Sequence, residues 1–307
     1  KDFQFTDILE QADVIILTMA WNYYVQTKQE HKAISFVQQC AAEHKKVIAF
    51  NAGDFGVKVP FMENLIILRP SGYKSEFTKK EYALPAFIAD PLIKYYHTDE
   101  IFLRPYATKP VVGFCGQANP SLVNASKEIM NTGLRNLKNY VGASDGEAQA
   151  LLSTSYVRAS VLKKLEQSFD VETNFIYRKQ YRAGIKSNKD SHQTTMDFYN
   201  NLKDSDYVVC ARGAGNFSVR LYETLAMGRI PVFIDTDCAL PLENVIDWKK
   251  HTVWVEYSER NQVAEKVRKF HNALSEKDFI DLQYAIRTLW KANLTLGGFF
   301  KKFLNEN

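Results

Sequence analysis

Residues 206–235 read DYVVCARGAGNFSVRLYETLAMGRIPVFID, and this stretch decides the fold. Tyr207 to Ala211 is a β-branched and aromatic run suited to a buried strand. Gly213 and Gly215 let the backbone bend closely, and Phe217, Leu221 and Leu225 recur every four residues, which predicts a helix over 217–227. Ile230 to Ile234 reads as the next strand. The first N–H groups of such a helix lack intrahelical partners and its dipole is positive there, so the loop before it suits an anion. Arg212 and Arg220 add fixed positive charge beside that loop.

The polar residues narrow the reading. Ser218, Arg220 and Glu223 fall within about one and a half helical turns, so a hydroxyl, a guanidinium and a carboxylate can address one ligand near the helix start. A carboxylate repels phosphate. Glu223 is therefore expected one turn further in, accepting hydrogen bonds from ribose hydroxyls while the arginines hold a diphosphate. The simpler alternative is an i,i+3 surface pair between Arg220 and Glu223. The glycines and Arg212 weigh toward the ligand.

From Cys210 to Asp235, followed by Leu240-Pro241-Leu242 and Val245-Ile246-Asp247-Trp248, the chain resembles the core of the exostosin-like glycosyltransferases, glycosyltransferase family 47. Weaker echoes are Asp7 to Ala20, the turn Asn51-Ala-Gly-Asp-Phe-Gly56, and Lys109 to Gly116. Ala211 and Arg229 stand where the family usually has proline and cysteine, and Asn51-Ala-Gly lacks the usual histidine before Asp54. The resemblance implies a GT-B fold, two Rossmann-like α/β domains facing across a cleft. It also implies metal-independent, inverting transfer from a nucleotide sugar, a UDP-sugar first among them, with donor contacts mainly in the second domain. The expected donor-binding set is Arg212, Gly213, Gly215, Asn216, Ser218, Arg220 and Glu223, with Arg178 added from the end of an earlier strand. Arg212 and Arg220 are also expected to stabilise the leaving phosphate. Inversion needs a base for the acceptor hydroxyl, and Asp54, across the cleft, is the expected one. No cofactor or metal is called for. The alternative is a non-catalytic nucleotide-sugar or glycan-binding module of the same fold.

At 307 residues, 46% hydrophobic and 24% charged, the chain can bury a substantial core and form two domains. A net charge of +4 is mild and dispersed, which fits anionic small ligands and does not call for nucleic acid. Strands are predicted at 13–19, 46–51, 64–69, 110–115, 172–177, 206–211, 230–234 and 252–257, with amphipathic helices at 29–45, 121–140, 155–168, 192–204, 217–227, 259–274 and 276–293. This alternation implies parallel sheets covered on both faces. The two prolines in Ile101 to Pro110 mark the crossover, giving an acceptor-side domain at 1–106, a donor domain at 107–275 and terminal helices at 276–307 that pack back on the first domain. The first domain is short for a Rossmann half and Lys1 is not an initiator methionine, so an initial strand is expected to be missing.

No apolar run reaches membrane-spanning length. Phe299 and Phe300 followed by Lys301 and Lys302 leave a peripheral membrane contact as the alternative to a packed terminal helix. Cys40, Cys115, Cys210 and Cys238 form no CxxC pair, which favours a reducing compartment and a cytoplasmic, bacterial-type enzyme. Asp235-Thr236-Asp237 spells a DxD, the pattern that holds a cation in other glycosyltransferases, but its place at a strand end favours a turn or cap. Arg178, Lys179, Arg182 and Lys186 also read as a solvated loop.

Overall fold

The computed structural model describes residues 4–178 and 188–306. Lys179, Arg182 and Lys186 lie outside them.

The chain builds two parallel sheets. In the first half β1 (Ile15–Ile16), α1 (Trp21–Gln26), α2 (Glu30–Ala42), β2 (Val47–Phe50), β3 (Leu65–Arg69), β4 (Glu81–Ala83) and α3 (Pro91–Tyr96) follow one another. Their strands lie in the order β1-β2-β3-β4. The second half runs β5 (Val111–Gln117), α4 (Leu122–Tyr140), α5 (Thr154–Glu166), β6 (Glu172–Arg178), α6 (Asn188–Lys203), β7 (Tyr207–Cys210), α7 (Val219–Ala226), β8 (Ile230–Asp235), α8 (Trp248–His251), β9 (Val253–Glu256) and α9 (Val263–Asn272). Its order is β6-β5-β7-β8-β9, so the direction of winding reverses between β5 and β7. Ligands of open α/β sheets bind at the strand carboxyl ends beside such a reversal. Two further helices, α10 (Glu276–Asn293) and α11 (Leu296–Glu306), finish the described chain.

Strand alternation separates two layers of core. Val47, Ala49, Leu65 and Ile67 face Trp21, Val25 and Val37 of α1 and α2, while Ile48, Ile66 and Leu68 join a larger core shared with the second sheet and with Phe279, Ile286 and Phe299. The aromatics of α11 seal the first sheet. Phe300 meets Phe50, Phe303 meets Tyr82 and Phe299 meets Phe87 edge-to-face. On α10, Phe279, Gln283, Ile286, Arg287 and Trp290 form the buried face, and the helix opens with a capping box between Ser275 and Asp278. Arg287 grips Asp90 at 2.6 Å and the carbonyl of Ala226 at 2.7 Å, linking α10 to the start of α3 and the end of α7.

Helix α4 departs from expectation. Its apolar residues Leu122, Val123, Met130, Leu134 and Leu137 are exposed, whereas the side turned toward the protein carries Glu128, Thr132, Arg135, Asn136 and the buried Asn139. Periodicity identifies an amphipathic helix but not which side is packed, and here the polar side is turned in to line a cleft. Helix α7 starts at Val219, two residues later than predicted, because Phe217 and Ser218 stay outside the helix.

Among the described residues no helix is long and apolar enough to cross a membrane. The four cysteines are buried and free.

Candidate active site

The loop from Ala211 to Asn216 leaves the buried strand β7 and meets the loop from Asn51 to Gly56 of the first half. Ser71 joins them: its Oγ donates to the Asp54 carbonyl at 2.7 Å and accepts from the Asn216 N–H at 2.9 Å. Asn216, expected at the ligand, sits at the junction of the two loops. It is 1% exposed, its Nδ2 donates to the carbonyls of Gly72, Thr236 and Asp237, and its Oδ1 accepts from Thr236 Oγ1 at 2.6 Å. The carboxamide is consumed in fastening the two halves. Ser218 takes the extended N-cap conformation at α7 but makes no side-chain cap hydrogen bond, so capping by Ser218 does not use the amides of the first turn.

Arg212 is buried, with Nη1 donating to the Tyr73 hydroxyl at 3.0 Å and Nη2 to the Ala214 carbonyl at 3.2 Å, while its Nε has no partner among the described residues. The Tyr73 hydroxyl also accepts from the Ala150 N–H at 2.8 Å, so a residue of the first half aims this guanidinium. Arg212 lines a cavity of about 270 Å³ together with Phe55, Glu128, Thr132, Arg135 and Gln149. Glu128 is held by the hydroxyls of Ser153 and Ser155.

Arg220 lies across the winding reversal. Nη2 donates to the Cys115 carbonyl of β5 at 2.8 Å, Nη1 approaches the Val209 carbonyl of β7 at 3.4 Å, and the guanidinium stands 4.4 Å from the Phe114 ring centroid. Gly116 makes room for it, since a Cβ there would come within 2.7 Å of Nη2. Burial lowers the Arg220 pKa, and the charge of Arg178 acts in the same direction. Arg178, at the end of β6, donates to the Thr194 carbonyl at 2.6 Å. A further cation was missed in the sequence. Arg158, on α5, donates to Thr154 O at 3.3 Å, and burial followed by the charge of Arg220 pulls its pKa down to about 10. It carries no local spacing signal, because α5 reaches this edge only through the packing of the sheet. Glu223 sits one turn inside α7, half-buried, accepting from the Tyr199 hydroxyl at 3.4 Å.

On the opposite side, Asn51 closes its loop by pairing with both backbone groups of Val57, and Asp54 is left exposed. Among the described residues the Asp54 carboxylate has no hydrogen-bond partner. It lines a second cavity of about 350 Å³. Phe55 and Arg135 line both cavities, and the Arg135 guanidinium lies 3.7 Å from the Phe55 ring centroid, a cation–π wall between the two chambers. Buried Arg69 braces this side by binding Glu81 and Glu147.

The DxD carboxylates hold loops. Asp235 accepts from the Cys238 N–H at 2.9 Å, and Asp237, at φ +62°, accepts from the Ser75 hydroxyl at 2.5 Å. Among the described residues no cluster of three or more His, Cys, Asp or Glu is arranged to hold a metal ion.

Two parallel sheets layered by helices, with loops from both halves meeting over an arginine-lined cleft, make the GT-B arrangement of two Rossmann-like domains. Residues 97–270 match the exostosin GT47 domain, more than half of the chain, and the chain belongs to that family. No curated protein matches it. Among solved structures it is similar to TarM at 11% identity and a TM-score of 0.39, covering 85% of this chain and 50% of that one. It is also similar to a TarM variant from S. aureus in complex with fondaparinux, α-GlcNAc-glycerol and UDP, at 11% identity and a TM-score of 0.40, covering 85% of this chain and 51% of that one. The chain thus spans about half the length of these structures.

Proposed function

We propose that the chain is a glycosyltransferase that moves a sugar from a nucleoside diphosphate, a UDP-sugar first, onto a glycan acceptor with inversion and without a metal ion. The carrying observation is the pair of adjoining chambers, one lined by Arg212 and the other by Asp54, divided by Phe55 and Arg135. The donor diphosphate lies in the Arg212 chamber toward the start of α7. As the anomeric carbon–oxygen bond breaks, negative charge grows on the leaving phosphate, and Arg212 with the amides of α7 receives it. Arg220, Arg178 and Arg158 raise the positive potential at the strand ends behind that position, which is what takes the place of a cation. Glu223 accepts from the ribose hydroxyls. Asp54 takes the proton of the acceptor hydroxyl as that oxygen attacks the opposite face of the anomeric carbon. Residues 1–106 carry Asp54 on the acceptor side and 107–275 carry the donor contacts, while Arg135, Asn139 and Asp145 of the second stretch also line the acceptor chamber.

Turnover tests this reading. Transfer and hydrolysis should be followed with UDP-, GDP- and CMP-sugars over a panel of glycan acceptors, in buffer with EDTA, for the wild type, Arg212→Ala and Asp54→Asn. Transfer by the wild type that survives EDTA and is lost in both variants is the expected result. Nucleotide binding without turnover on any acceptor would favour a binding module instead.

A further inference from the structure

The chamber beside Asp54 is rich in hydrogen-bond acceptors that the protein leaves unused. Asn139 is 5% exposed; its Nδ2 donates to the Glu147 carbonyl at 3.2 Å, which fixes the orientation of the amide, and its Oδ1 is buried with no partner among the described residues. A buried acceptor without a donor is costly unless a ligand supplies one. Asp54 and Asp145 line the same cavity with exposed carboxylates that have no partner among the described residues. The third carboxylate, Glu147, is neutralised by Arg69. The one cation in the lining, Arg135, is stacked on Phe55 at the wall shared with the other chamber. The cavity therefore carries an excess of negative charge, a row of lone pairs seeking donors, and apolar surface from Val25, Phe55 and Val57. At about 350 Å³ it is at the small end of ligand pockets.

We infer that this chamber is the acceptor subsite and that it takes an uncharged sugar ring, discriminating against uronate-, sulfate- or phosphate-bearing acceptors. This rests on the proposed reading of the Asp54 side as the acceptor side. Hydroxyl groups of a neutral ring donate to Asn139 Oδ1 and to the two aspartates, and its C–H face lies on the apolar wall. An anionic substituent brings like charge against Asp54 and Asp145 and offers acceptors to acceptors, a penalty on the order of tenfold in affinity for a partly solvated site.

The test is direct binding, which does not require turnover. Titration by NMR compares a panel of methyl hexosides with their C6-oxidised uronosides, in the presence of UDP, on the wild type, Asn139→Leu and Asp145→Lys; UDP affinity is measured separately by calorimetry. The expected result is at least tenfold tighter binding of a neutral hexoside than of its uronoside. Asn139→Leu should weaken the neutral ligand roughly tenfold, and the exposed Asp145→Lys should narrow or reverse the preference, with UDP affinity unchanged in both. Equal or tighter binding of uronosides to the wild type, an Asp145→Lys variant with the wild-type preference, or no hexoside binding while UDP still binds would each overturn the inference. Hexoside binding with the expected preference but no transfer from any donor would sink the enzyme reading and with it the acceptor role, leaving a site selective for neutral sugars.

Discussion

Gly215 rests directly on the backbone of Asp54: a Cβ at Gly215 would lie 2.7 Å from the Asp54 carbonyl oxygen and 2.9 Å from its Cα. Both atoms belong to the main chain, so nothing flexible can yield. A Gly215→Ala variant should push the arginine loop and the aspartate loop apart at a cost of about 1–3 kcal/mol. Its kcat/KM should fall more than tenfold while circular dichroism stays that of the wild type. Wild-type kinetics would mean that the approach of the two loops is irrelevant to transfer.

Arg212 depends on Tyr73 for its aim, and the two can be separated by measurement. Arg212→Ala should weaken UDP binding by about 10- to 100-fold, the usual loss for a charged hydrogen bond. Tyr73→Phe keeps the ring under the guanidinium and removes only the hydroxyl, so a several-fold loss is expected. Calorimetric titration of UDP into each variant reads both, and a Tyr73→Phe loss as large as that of Arg212→Ala would contradict a merely orienting hydroxyl.

Asn216 is expected to matter for stability and not for donor affinity. Asn216→Leu would strand the carbonyls of Gly72, Thr236 and Asp237 and the Thr236 hydroxyl inside the junction, costing about 2–4 kcal/mol. Urea denaturation should show a lower midpoint with a similar slope. UDP affinity of the fraction that remains folded should match the wild type.

Asp235 supplies a pH test. Burial, with the charges of Glu256 and Asp237 added, raises its pKa in the folded protein. The folded state then binds this proton more tightly than the unfolded chain does. Its contribution to stability therefore falls as pH rises from the ordinary carboxylate range through the raised value, and stays lowered above it. Asp235→Asn keeps an oxygen for the Cys238 N–H and removes the charge. It should be more stable than the wild type at pH 7, by less than about 1 kcal/mol, with the gap closing near pH 3. Urea midpoints across that range decide the matter.

What the sequence disclosed was local, and what it hid was assembled from afar. The β7–loop–α7–β8 unit was readable because strand, glycine turn and helix period lie side by side, and Arg212 does reach the cleft. Asp90 before Pro91 was a helix start signal for α3, where Asp90 Oδ1 accepts from the Leu92 N–H at 3.0 Å, yet only six residues follow and no period accumulates. β4 is three residues long and has no alternation to detect. Tyr73, the α4 pair Arg135 and Asn139, and Arg158 of α5 come to the site from three separate stretches of chain, and no local spacing shows which of them meet there. Asn216 shows the same limit: its place in the glycine loop was legible, but the partners of its carboxamide, at residues 72, 236 and 237, were not.

Ile48, Ile66 and Leu68 of the first sheet share one continuous apolar core with the second sheet and with Phe299 and Phe303 of the last helix. Neither half thus owns a complete interior, and the molecule should melt as a single cooperative unit. A calorimetric scan would then give one heat-absorption peak, and trimming α11 would loosen the distant arginine-bearing half along with the sheet it covers.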